Sequence, residues 1–127
     1  MKTIYADNFN IRDLIQLHAF TRKEKDLNFI DVSKVTNMEN LFEDLDYSPD
    51  ISQWDVSKVT NMNSMFFGSD FNGDISQWDV SNVIDMYGMF YQSKYTHKIL
   101  SWRINLNCPI NSNKNIFNKT HIILQNI

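Results

Sequence analysis

The chain has 127 residues, 43% of them hydrophobic, and a formal charge of −3; this is one globular domain, and its twelve Lys and Arg, scattered among fifteen Asp and Glu, form no basic run to track phosphates. Cys108 is the single cysteine, which excludes an intrachain disulfide and a cysteine-rich zinc site. The N-terminus lacks the apolar core of a signal peptide and no stretch reaches the roughly 18 apolar residues of a membrane span, so the chain as written is expected to be cytoplasmic, with no membrane insertion.

The first predicted element is a helix over 10–22. Ile11, Leu14, Ile15 and His18 recur at i, i+3, i+4 and i+7, and Asn8 or Asn10 is placed to cap its first turn. Ile4 and Tyr5 are read as a short strand ahead of it, and 21–26 as a charged connector. The single apolar face makes residues 1–26 a predicted capping helix, because the first unit of a stack otherwise leaves its apolar side in water.

A tandem repeat follows. Residues 50–66 return at 74–90 with twelve of seventeen positions identical, and 31–38 are identical to 55–62, each time at an offset of 24. A fixed period in this range marks a unit that cannot bury its apolar face alone and stacks on its own copies. Units begin at Leu27, Ile51, Ile75 and Ile99. Within each, Trp54 in, Asp55 out and Val56 in alternate as a strand does, whereas Val59, Met62, Met65 and Phe66 recur every three or four residues, as on one face of a short helix. Ser57 stands between them as an N-cap, and Gly68, Asn72 and Gly73 as turn residues.

One coil is therefore predicted to be a short strand, a short helix and a return loop. Stacking at strand spacing builds ladders of Trp54, Trp78 and Trp102, of Val35, Val59 and Val83, of Phe42, Phe66 and Phe90, and of Met38, Met62 and Met86. In the fourth unit Ile99, Trp102 and Ile104 keep register, but Asn105, Asn107, Pro109 and Asn111 replace the apolar helix positions. The organisation read from this is a repeat array over 27–104, then a degenerate last repeat and C-terminal cap over 105–127, all in one domain.

The frame Ile-x-x-Trp-x-Val-x-x-Val-x-x-Met-x-x-Met-Phe, carried by Asp-Ile-Ser-Gln-Trp-Asp-Val-Ser and Met-x-x-Met-Phe, resembles the leucine-rich repeat of BspA-type bacterial surface proteins, including the related domain of mycoplasma lipoproteins. The resemblance implies an α/β repeat fold, a short right-handed leucine-rich-repeat-like solenoid. For surface members it implies adhesion to host or matrix proteins. Relatives in large DNA viruses and among intracellular proteins mean that the fold does not fix the role, and this chain differs from the surface members in lacking an export signal and in having three to four units.

The strand alternation leaves Gln53, Asp55 and Ser57 outside, with Gln77, Asp79 and Ser81 on the next coil, Asp31 and Ser33 at one end of the rows, and Arg103 and Asn105 at the other. The stacked Asp31, Asp55 and Asp79 have two readings: an acidic stripe for a basic partner or cation, or local bonding to backbone, Ser and Lys, the habit of Asp in turns. The Trp residues sit in register with Ile and Val, as core positions rather than a sugar-stacking platform. His18, His97 and His121 have no partner at ligand or triad spacing, Cys108 has no redox partner, and three glycines make no phosphate loop. The expectation is a non-enzymatic protein-binding module without catalytic residues, metal or cofactor, which recognises a protein through its outward rows and takes no nucleic acid. The alternative is a structural component of a surface layer or virus particle, packing through its side or self-associating through its C-terminal end.

Overall fold

The computed structural model describes residues 2–96 and Trp102. Strand β1 (Ile4–Tyr5) lies parallel to β2 (Ile30–Asp31), with Ile4 opposite Ile30. Between them, helix α1 (Ile11–Ile15) continues as a π-helical segment, Gln16–Thr21, which ends where Lys23 takes a φ of 49°. Ile11, Ile15, His18 and Ala19 are buried on the side facing the repeats, so the predicted stripe is the packed face.

From Leu27 onward the described chain is laid down in layers 24 residues apart: 27–50, 51–74 and 75–96. Parallel bridges join Asp26 to Asp50, Asn37 to Asn61, and Asn61 to Asp85. The segments expected as short helices are runs of turns. Met65 N–H donates to Met62 O, Phe67 to Ser64, and Ser69 to Phe66, all at i−3, while the intervening N–H groups of Met62, Ser64, Phe66 and Gly68 donate to Asp85, Tyr87, Met89 and Tyr91 of the next layer. Met38, Asn40, Phe42 and Asp44 do the same toward Asn61, Asn63, Met65 and Phe67. Half of the donors that an α-helix turns inward are therefore directed at the neighbouring layer.

The backbone makes this possible by taking positive φ at Asn40, Ser64 and Gly88, and again at Asp44, Gly68 and Gln92. These are the third residues of successive four-residue turns, where a type II geometry requires a left-handed residue. The predicted strand positions keep their alternation, Trp54 in, Asp55 out and Val56 in, but Trp54 N–H closes a turn onto Ile51 O.

Like residues stack over like. The rings of Phe42 and Phe66 are 5.6 Å apart and nearly parallel, those of Phe66 and Phe90 5.4 Å, and those of Trp78 and Trp102 6.4 Å. Every indole also satisfies its polar atom: Nε1 of Trp54, Trp78 and Trp102 donates to the carbonyl of Leu27, Ile51 and Ile75 respectively, at 3.0, 3.2 and 2.9 Å. Val35, Val59 and Val83 and the Met38, Met62 and Met86 column are fully buried between these rings and the turn ladder.

The N-terminal segment meets the first layer through side chains that imitate a layer. Thr60 and Asn61 N–H both donate to Thr36 O, at 2.8 and 3.3 Å, and Ile84 and Asp85 N–H both donate to Thr60 O at the same two distances. On the first layer the N–H groups of Thr36 and Asn37 donate to Asn8 Oδ1, at 2.9 and 3.3 Å. Asn8 thus stands in for a carbonyl of a preceding layer rather than capping α1. The helix start is held instead by Asp7, whose carboxylate accepts the N–H groups of Phe9 and Asn10, while Asn10 Oδ1 accepts Asp7 N–H, the reciprocal arrangement of a capping box.

Candidate functional site

Of the residues predicted to form the outward rows, Gln53, Asp55, Gln77, Asp79 and Ser81 are exposed, and Asp31, Ser33 and Ser57 are half-buried. Arg103 and Asn105 lie outside the described residues. The rows are in register, but their carboxylates are already engaged. Asp31 Oδ1 accepts Ser33 N–H at 2.9 Å, Asp55 accepts Ser57 N–H at 3.0 Å, and Asp79 accepts Ser81 N–H at 3.0 Å and Ser81 Oγ–H at 2.6 Å. These are Asx turns, in which a short carboxylate closes the backbone two residues on.

The hydrogen bonds from Ser33, Ser57 and Ser81 hold Asp31, Asp55 and Asp79 below the usual carboxylate range, because they stabilise the charged form. The Asp55 charge acts against this at both neighbours, Asp31 and Asp79, which is the repulsion expected of a like-charge column.

Two further columns were not singled out from sequence. Asp26, Asp50 and Asp74 accept the N–H groups of Asn28, Ser52 and Ser76, and Asn37, Asn61 and Asp85 accept those of Glu39, Asn63 and Tyr87. Their signal is in the repeat itself, an Asp or Asn recurring every 24 residues where the chain turns. The first of them matters to the surface, because Asp50 and Asp74 join Gln53, Gln77 and Lys25 in lining a polar groove of about 390 Å³. Gln53 is held there by its own backbone, which donates to Asn28 Oδ1 at 2.9 Å.

For His18 no partner at ligand or triad spacing was expected. It is buried, with Nδ1 bonded to a carboxylate oxygen of Glu24 and its ring edge-on to Phe29. The positive φ at Lys23 folds Glu24 back toward the helix, a contact that no helical spacing announces. His97, His121 and Cys108 lie outside the described residues. Among the described residues no group of three or more His, Cys, Asp or Glu comes together as a metal site, and no helix is long and apolar enough to cross a membrane.

No curated protein and no solved structure matches this chain. A family model does match, over residues 10–127, and the chain therefore belongs to the family described as Mycoplasma protein of unknown function, DUF285.

Proposed function

We propose that this protein is a non-enzymatic binding module, a short right-handed repeat solenoid of the BspA-type leucine-rich-repeat kind, whose outward rows recognise another protein. One observation carries the reading: Gln53 and Gln77, with Asp55 and Asp79, are exposed at equivalent places on a backbone fixed by hydrogen bonds within and between layers. A backbone held in that way has little freedom left to lose on association, so binding costs less than on a mobile loop.

The Asx turns divide the labour among these residues. The serines are tied to the aspartates, so the amides of Gln53 and Gln77 supply the donors toward a partner, and the outer lone pairs of Asp55 and Asp79 supply acceptors and charge. The groove beside them, with Lys25, Asp50 and Asp74, extends the same polar surface.

The test separates recognition from folding. Gln53→Ala with Gln77→Ala removes the exposed amides, and Asp55→Asn with Asp79→Asn removes charge but keeps the oxygen that closes each turn. Wild type and the fourfold variant are used as bait against native-host lysate after cross-linking, with melting measured in parallel. Proteins captured by wild type and lost from an equally stable variant support the reading; an identical capture profile from both refutes it.

A further inference from the structure

Ile84 and Tyr87 are 49% and 50% exposed. The repeat supplies an internal control for what stands at these places. The backbone of Ile84 hangs from Thr60 O as that of Thr60 hangs from Thr36 O, both at 2.8 Å, and Tyr87 O receives Ser64 N–H as Asn63 O receives Asn40 N–H. The same scaffold thus carries Thr36, Thr60 and Ile84 in one row and Glu39, Asn63 and Tyr87 in the next. A third row runs Glu43, Phe67 and Tyr91, in which the Phe67 and Tyr91 rings lie 5.3 Å apart. Layers one and two carry polar residues at the Ile84 and Tyr87 positions, and layer one does so at the Tyr91 position, so folding does not demand Ile84 and Tyr87 on layer three. Exposed apolar area that the fold does not require marks an interaction surface.

The other end of the same rows is acidic. Glu39 and Glu43 occupy on layer one the places of Tyr87 and Tyr91, with Arg12 as a counter-charge beside them, its guanidinium donating to Glu39 O. Two layers separate the ends, about 10 Å at strand spacing.

We propose that this face is a docking surface for a basic amphipathic helix of a partner protein, lying along the stack with apolar side chains over Ile84, Tyr87 and Phe67 and Lys or Arg over Glu39 and Glu43. A rise of about 10 Å is about two helical turns, so the partner's basic residues follow its apolar anchors by about seven positions. Helix-on-surface recognition of this kind reads anchors by spacing and charge by steering. The surface lies apart from the Gln53 and Gln77 rows and goes beyond the reading given for them.

The experiment uses synthetic helical peptides of leucine and lysine: one with that spacing, one of identical composition with the spacing scrambled, and a leucine and glutamate counterpart, titrated into the full chain by fluorescence anisotropy at low ionic strength. The spaced peptide binds, and scrambling weakens it about tenfold. Ile84→Thr with Tyr87→Asn, which installs the second layer's residues on the third, weakens it about tenfold or more at unchanged melting temperature. Glu39→Gln with Glu43→Gln removes most of the salt dependence. The proposal is overturned if the Ile84→Thr, Tyr87→Asn chain binds the spaced peptide as wild type does, or if the glutamate peptide binds equally well. It is overturned too if wild type ignores every peptide and instead forms dimers that this variant abolishes, which would assign the face to a second copy.

Discussion

Asn8 Oδ1 accepts the N–H groups of Thr36 and Asn37 at 2.9 and 3.3 Å, much as Thr36 O accepts those of Thr60 and Asn61 at 2.8 and 3.3 Å. One side-chain amide so replaces a main-chain carbonyl that only a further layer could provide. Asn8→Ala leaves two donors of the first layer to water and is expected to cost about 1–2 kcal/mol, read as a lowered unfolding free energy in urea. Asn8→Asp keeps the acceptor and should recover most of the loss. Equal stability of the alanine and wild-type chains would mean that water serves the first layer equally well.

Trp78 ties its layer to both sides, through its ring stacked on Trp102 on one and through its N–H to Ile51 O on the other. Trp78→Ala is expected to cost about 3–5 kcal/mol, enough to unfold a marginal domain. Trp78→Phe retains most of the apolar contact and isolates the orphaned Ile51 carbonyl, for a smaller loss of about 1–3 kcal/mol. Thermal melts of the two variants, with tryptophan emission as the second probe, check the order; an alanine variant that melts with wild type contradicts the buried, bonded geometry.

Acid should loosen the stack. The carboxylates of Asp31, Asp50, Asp55 and Asp79 are held below the usual carboxylate range by hydrogen bonds from the serines two residues on. A folded value below the unfolded one means stability that is present above about pH 4 and is lost as pH falls through the folded values. Asp55→Asn with Asp79→Asn is expected to flatten this acid limb and to lower stability at pH 7 by the share of the limb it removes, while keeping the turns closed as Asn37 and Asn61 do in the adjacent column. A pH profile of melting temperature that stays as steep in the double variant as in wild type would place the acid sensitivity elsewhere.

Gly88 has a φ of 63° and room for a Cβ, which would lie 3.5 Å from Ser64 Oγ. Its equivalents in the earlier layers are Asn40 and Ser64, also at positive φ. Gly88→Asn is therefore expected to be nearly neutral, and Gly88→Val to cost about 1–2 kcal/mol because a β-branched residue is strained there. Denaturation midpoints with unchanged m-values give the comparison.

The period, the inward Trp54 and Trp78 and the buried Ile11 and Ile15 were legible because burial selects residue type at fixed spacing. The turn ladder was not. Val59, Met62, Met65 and Phe66 have the intervals of a helix face, yet two turns in succession, 62–65 and 66–69, bury the same residues. What distinguishes them is the sign of φ at Ser64, and Ser declares that far less plainly than Gly88 does. Of the outward surface, the positions of Gln53 and Gln77 followed from alternation. The groove they share with Asp50 did not, because it forms between layers and belongs to no single stretch of chain. Likewise Asn8 reads as an ordinary helix cap until Thr36 is placed beside it.

The register has a consequence for how this chain can change length. The turn-ladder donors of the first two layers meet acceptors 23 positions later, and the carbonyls of Thr36 and Thr60 meet donors 24 later. An insertion of any other size within the turn-ladder segments shifts the pairs that follow it out of register, whereas a surface loop between them can bulge to absorb one. A whole added unit throws out none, since it presents the same acceptors below and the same donors above. The turn ladder is in this sense quantised: it grows or shrinks by one unit at a time.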